Sequence, residues 1–600
     1  MKPKTKSCQN CKAKFSIEPA DFTFYKKMDV PEPTFCPDCR LQRRFSFRNE
    51  SKIYKRKCDF SGKEIFSMFS KDAPFTVYER NVWWSDKWDP LSYSKDYDFK
   101  KIFFEQFKEL TEEIPWFSLS VQNMVNSDYS NQATELKNCY LVFGSGFSED
   151  CAYGRGVNSS KDCYDNSYLE KCELCYQGFM LANCYKAFFS SHCDDCQEVI
   201  FSHSCVGCSN CFGCSNLRHK KYHIFNKPYT KEEYFKKLEE FNFGSYKNIL
   251  SLDKKAKDFW LKYPVKFMHG RKNVNVTGEY IYNSKNVKDS FMIRGGENLK
   301  YCFNFLNKPS AKDCYDYSSW GVNARLIYEN ISTGNGISQS KFCYDCYPNN
   351  RDLEYCIQCG SSFNLFGCVG LRHKRYYILN KQYTKEEYNE LVPQIKQHMN
   401  DMPYVDKKGR IYKYGEFFPT ELSPFAYNET LAQEFFPLTK EQALKQGYTW
   451  YDNPNPEYKA TIKAKDLSDN IKDVDNSILK EVIECANCHS RESGNPVSNN
   501  SGSPIKLGMT EGEVGMVSCA GSGVFRLIPA ELKFYRKHNI PLPHLCPNCR
   551  HRERIKQRNP FKLWKRQCMN KGCNNTFQTT YSPDRKEIVY CEKCYNKEVN

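Results

Sequence analysis

The 600 residues hold no stretch of about 18 consecutive apolar side chains, so no membrane-spanning helix is expected. The opening Met1-Lys2-Pro3-Lys4-Thr5-Lys6-Ser7 is charged and lacks the apolar core of a secretory signal. A cytoplasmic chain is the resulting expectation, with its thiols reduced and available for metal or packing rather than disulfides. Catalytic signatures are missing too. There is no phosphate-binding Gly-rich loop ending in Lys-Ser/Thr, no dinucleotide fingerprint, no HExxH, no GxSxG and no Cys-His-Glu deaminase spacing. The expectation is of a protein that is not an enzyme.

Cysteine, by contrast, is abundant. There are 33, an odd total that suits a full disulfide framework poorly. The formal charge of +17 is unevenly spread. Residues 1–60 carry 15 Lys/Arg against 7 Asp/Glu, and residues 524–600 carry 17 against 6, whereas 120–216 carry 5 against 11. Basic ends around an acidic middle place any polyanion contact at the ends.

Those ends are two copies of one design. Cys8-Gln-Asn-Cys11 followed by Cys36-Pro-Asp-Cys39 has the spacing of a four-thiolate structural zinc site. At an offset of 510, Phe15, Phe24, Tyr25, Pro31, Pro33, Cys36, Cys39 and Arg40 return as Phe525, Phe534, Tyr535, Pro541, Pro543, Cys546, Cys549 and Arg550. The first knuckle of the second copy stands further upstream, at Cys485 and Cys488. Deleting the Gly-, Ser- and Asn-rich segment 489–521 restores the spacing, so that segment reads as an inserted, disordered loop with Cys519 a bystander or a substitute ligand. Cys568, Cys573, Cys591 and Cys594 form a third site, a zinc ribbon. Its N-terminal counterpart keeps Cys58 but has Ser61, Glu79 and Val82 in place of the other thiols, and Trp83, Trp84 and Trp88 are candidates to fill a metal-free core. Three zinc ions follow.

Between the ends a short motif recurs, as in Asn138-Cys139-Tyr140, Asp150-Cys151, Asp162-Cys163-Tyr164, Leu174-Cys175-Tyr176 and Asn183-Cys184-Tyr185, mostly 12 residues apart. Such a period predicts stacked β-coils, read as two motifs per coil, with small thiols laddered inside. The array is duplicated: Leu217-Arg218-His219-Lys220 returns as Leu371-Arg372-His373-Lys374, 154 residues on. Thr230 with Glu233 and Thr384 with Glu387 are capping boxes that open a closing helix on each array. Cys205, Cys208, Cys211 and Cys214 have ferredoxin-like spacing, but the second array places Cys359, Ser362, Leu365 and Cys368 there, which favours packed thiols over a cluster. His219 and His373 read as exposed basic surface rather than ligands.

The fold class expected is mainly β: two parallel β-solenoid-like arrays flanked by small α+β zinc-ribbon and treble-clef-like modules. The chain divides into a zinc-binding module (1–50), a degenerate metal-free ribbon (51–118), the two arrays with their capping helices (119–240 and 241–400), a linker region (401–480), a zinc-binding module with the inserted loop (481–560) and a zinc ribbon (561–600). The CxxC…FY…PxP…CPxCR pattern at both ends, the Lys-Arg-x-Cys step after each and the Cys-Tyr repeats resemble a family of uncharacterised zinc-ribbon proteins from uncultivated bacteria with small genomes. The resemblance spans nearly the whole chain and implies architecture and metal, not a reaction. Two functions follow as expectations. One is a structural or interaction protein whose stacked coils meet an unidentified protein partner. The other is nucleic-acid binding through Arg40, Arg43, Arg44 and Arg48 at one end and Arg550, Arg552, Arg554, Lys556 and Arg558 at the other, spaced to line a helix face.

Overall fold

The computed structural model describes residues 2–305, 311–452, 459–488 and 523–599; segment 489–521, with Cys519, lies outside them. Its centre is a parallel β-solenoid of about 21 turns. In the first array strands pair in parallel with partners 12 residues on: Ala133–Lys137 with Gly146–Glu149, Arg155–Asn158 with Ser167–Glu170, and so on to Lys221–Ile224. One coil is therefore 12 residues, and it holds one motif rather than the two expected.

The coil is built from three-residue sides. Ala133, Leu136, Cys139, Val142, Ser145, Ser148 and Cys151, every third residue, are all buried. The residue before each one sits at positive φ: Gln132, Glu135, Asn138, Leu141, Gly144, Phe147 and Asp150 all fall between 52° and 58°. L-residues visit this left-handed region reluctantly, Asn and Asp least so. Each position of the motif thus has its own task. Asn138, Asp150 and Asp162 turn the corner, and the following Cys139, Cys151 and Cys163 point inward. Next come Tyr140, Ala152, Tyr164, Tyr176 and Phe188, which are bridged in succession along one outer face. The 9-residue step from Cys175 to Cys184 is a move to the adjacent side, one side short of a full turn.

So tight a coil is filled by Cys, Ser and Ala with an occasional Val or Leu, and no aromatic ring of the described residues enters it. Cysteine suits it because its S–H reaches a carbonyl: Cys139 Sγ donates to Lys137 O at 3.4 Å and Cys163 Sγ to Lys161 O at 3.2 Å. The second array has coils of 13 residues between 311 and 351 (Ala311 pairs with Ala324, Ser338 with Arg351) and of 12 beyond. Larger residues such as Ile327 and Tyr317 fill it. Both arrays end on the expected capping helices, Lys231–Glu239 and Lys385–Asp401. The Oγ1 of Thr230 and of Thr384 accepts the N–H of Glu233 and of Glu387.

The linker expected over 401–480 is instead packed. Phe417, Phe418, Tyr427 and Ala432 are buried in one core with Phe45 and Phe47 of the N-terminal module. Its strands and helices, such as Ile411–Tyr412, Leu431–Phe435 and Lys440–Lys445, are too short to show a period, which hides such a segment from pattern reading, yet its aromatic side chains anchor it.

Candidate metal centres and the arginine locks

Three groups of four cysteines meet: Cys8, Cys11, Cys36 and Cys39; Cys485, Cys488, Cys546 and Cys549; Cys568, Cys573, Cys591 and Cys594. In each group the sulfurs all lie within 4.8 Å of one another. In the first, Cys8 and Cys11 sit at the turn of the hairpin Lys4–Ser7 with Lys14–Ile17, and Cys36 caps the helix Pro37–Phe45. The second repeats this across the insert. Ile483–Glu484 pairs with Val524–Phe525 just as Lys6-Ser7 pairs with Lys14-Phe15, and Cys546 caps the helix Pro547–Ile555. The third stands on the hairpin Trp564–Gln567 with Thr576–Thr579 and the helix Glu592–Val599.

These residues fit a divalent ion held by thiolates. A tetrahedron with zinc–sulfur bonds of about 2.3 Å has sulfur–sulfur edges of about 3.8 Å. Cys11 and Cys36 are 3.6 Å apart, Cys488 and Cys549 3.6 Å, and Cys573 and Cys591 4.0 Å. The backbone adds a donor at the same place each time: the N–H of Cys36, Cys546 and Cys591 points at the sulfur of Cys8, Cys485 and Cys568, each at 3.2 Å. Neighbouring thiols, Cys36 first, push the Cys8 thiol far below its ordinary range, and Cys36 goes up in return. Four sulfurs this close do not all ionise without a cation between them.

Cys58 retains the local geometry without the ligand set. Its sulfur accepts the N–H of Ser61 at 3.4 Å and of Glu79 at 3.1 Å. Trp83 is fully buried there and donates from Nε1 to Pro115 O, while Trp84 and Trp88 are half-buried beside it. Cys205, Cys208, Cys211 and Cys214 occupy the four sides of a single coil, each buried and donating to a carbonyl two residues back. Among the described residues they form no four-sulfur group, and Cys359, Ser362, Leu365 and Cys368 fill the same four sides of the second array. His219 and His373 are exposed.

The arginines after the knuckles are not where a phosphate would find them. Arg40, Arg43 and Arg44 are at most 1 % exposed and Arg48 6 %. Arg40 pairs with Asp316 at 2.8 Å, Arg44 with Asp316 at 3.2 Å, and Arg43 with Glu329 at 3.1 Å and Glu416 at 3.0 Å. Arg48 pairs with Glu50 and donates to Ser332 and Gln132. At the other end Arg550 pairs with Asp165 at 2.6 Å and Glu531 at 3.0 Å, and Arg554 with Asp165 at 3.2 Å. Arg558 lies over Phe435 and beside Glu434. Six of these seven are buried and Arg558 is half-buried, each against a carboxylate that compensates charge which burial would otherwise make very costly, so the structure does not present them to a phosphate. Arg552 is half-buried and Lys556 exposed beside Glu553.

The two locks are the same lock. Residues 510 apart (Arg40 and Arg550, Arg44 and Arg554) grip aspartates 151 apart, Asp316 and Asp165. Nε of Arg44 meets Ser318 and Nε of Arg554 meets Ser167. Phe24 stacks on Tyr315 at 3.9 Å and Phe534 on Tyr164 at 4.4 Å. The N-terminal module thus docks on the second array and the C-terminal module on the first. Where the second array offers Glu329, the first offers Gln177 Oε1 to Arg554. Burial there pushes Arg554 down to about 10, against the pull of Asp165. The carboxylate partners escaped the sequence reading, although Asp162-Cys163-Tyr164-Asp165 and Asp313-Cys314-Tyr315-Asp316 are one tetrad written twice.

No protein-family model and no curated protein matches this chain. Among solved structures, one described as a "putative acetyltransferase" from Desulfovibrio desulfuricans G20 aligns at 10% identity over 41% of this chain and 64% of its own, under two thirds of its length, with a TM-score of 0.10. A likeness that slight carries no argument. Among the described residues no helix is long and apolar enough to cross a membrane.

Proposed function

We propose that the chain is a zinc-dependent structural and interaction protein. Its two arrays form a rigid frame that presents coil faces to a protein partner, and three zinc-held modules clamp that frame. The observation that carries this reading is the repeated lock. The helix that starts on a zinc ligand ends with the arginines that enter the array, so metal and docking share one short element. Membership of the family of zinc-ribbon proteins from small-genome bacteria, a cytoplasmic location and the absence of catalysis belong to the same reading. Four thiolates per ion leave no position for water or substrate, and the described cysteines are free thiols, as a reducing compartment keeps them.

Cobalt substitution tests the reading. Three equivalents per chain, with the strong visible bands of tetrahedral all-thiolate cobalt, are expected at every site. A site with the weak bands of five- or six-coordination has an open position, and that would replace the structural reading with a catalytic one.

A further inference from the structure

With the terminal arginines buried, another concentration of positive charge stands out at the exit of the first array. Residues 218–262 hold twelve Lys/Arg against six Asp/Glu. Here the helix Tyr246–Trp260 packs Ile249, Leu252 and Ala256 against the array end and turns its opposite face outward. A cavity of about 550 Å³ opens between that outer face and the last coil. Lys254, Lys255 and Lys262 line it, spaced along one helix face and its continuation, with Phe225 and Phe259 between them and Asp258 as the lone acid. Among the described residues none of the three lysines has an ion-pair partner, whereas Lys257 next to them is paired with Asp253. Two of the ammonium groups rest over aromatic rings instead, Lys255 over Phe225 at 4.9 Å and Lys262 over Phe259 at 5.9 Å.

Three unpaired cations converging on a cleft repel one another, and a multivalent anion removes that repulsion. Half-buried phenyl rings in the same cleft offer faces on which a base stacks. We propose that this cleft binds single-stranded nucleic acid, with Lys254, Lys255 and Lys262 on successive phosphates and Phe225 and Phe259 against bases. The equivalent exit of the second array lacks this cleft's aromatic: buried Leu379 stands where the first array has Phe225. This inference rests on a different surface from the zinc-clamped frame, so either stands if the other fails.

Fluorescence anisotropy of a labelled oligouridine with the full-length, zinc-loaded protein tests it. Three phosphate contacts to a single strand predict a slope of log affinity on log salt near −2, a weakening of about 20-fold from 50 to 200 mM salt. The triple variant Lys254→Glu, Lys255→Glu, Lys262→Glu should lose at least ten-fold in affinity together with most of that slope. Its lysines are exposed, and unchanged circular dichroism reports that it has folded. Phe259→Ala should weaken binding while leaving the slope in place. No binding at 50 mM salt overturns the proposal. So does loss of binding in Arg552→Glu/Lys556→Glu with the triple variant unaffected, and so does equal competition by tripolyphosphate with Phe259→Ala silent, which would mark an anion surface without base recognition.

Discussion

A buried charge needs its partner more than the fold needs the pair. Replacing one member of a desolvated ion pair leaves the other stranded, typically at about 3–5 kcal/mol. Among the described residues Asp165 is the sole carboxylate paired with Arg554, whereas Arg44 has both Asp316 and Glu329. Asp165→Asn is therefore expected to cost the C-terminal module about 3–5 kcal/mol, and Asp316→Asn to cost the N-terminal module less. Native-state hydrogen exchange of the helices Pro547–Ile555 and Pro37–Phe45 reads the two values. Titratable residues follow the same logic. Burial holds His203 down at about 3 and His192 well below its ordinary value, with His269 adding to both. Histidines kept neutral in the fold contribute fully above the unfolded value near 6.5 and lose that contribution as pH falls, by up to about 1.4 kcal/mol per pH unit each. The protection factors of coil amides, taken against the intrinsic rate at each pH, should fall below pH 6.5, and His203→Phe, which keeps a ring against Trp260, should lower that slope by about one histidine's share. The three four-cysteine groups were legible from spacing alone. The arginines were legible as a basic patch but not as buried, because a sequence shows charge and not the carboxylate 276 residues away that receives it.

At the scale of the element, the coil explains the composition. One corner residue at positive φ, one small inward residue and one outward residue per side give the Asn/Asp-Cys-Tyr motif its order. The 12-residue spacing was visible, but the number of sides per coil was not, since a three-residue side is too short to carry a strand period. Interior volume is the constraint that decides substitutions. Cys208→Ser keeps a donor for Val206 O in an interior that already holds Ser145 and Ser202, and should shift stability by no more than about 1 kcal/mol. Cys208→Leu overfills a coil walled by Cys196, Cys205 and Cys211 and should cost about 1–3 kcal/mol. Thermal unfolding of the two variants side by side checks the difference.

For the whole molecule, the consequence is crossed docking. The first module of the chain sits on the second array and the module of residues 481–560 on the first, so contacts across most of the sequence close the structure. The 510-residue repeat of the ends and the 154-residue repeat of the arrays were both readable. Their pairing was not, because nothing local distinguishes the near array from the far one. The arrays carry laddered backbone hydrogen bonds of their own, whereas the terminal modules are short and loop-rich and, in the proposed reading, depend on metal for their cores. Hydrogen exchange of the full-length protein before and after a chelator strips its metal tests this directly. Residues 2–50 and 523–599 should lose protection when the three ions leave, while the coil amides between 133 and 224 and between 311 and 378 keep theirs. Terminal helices that stay protected without metal would contradict it.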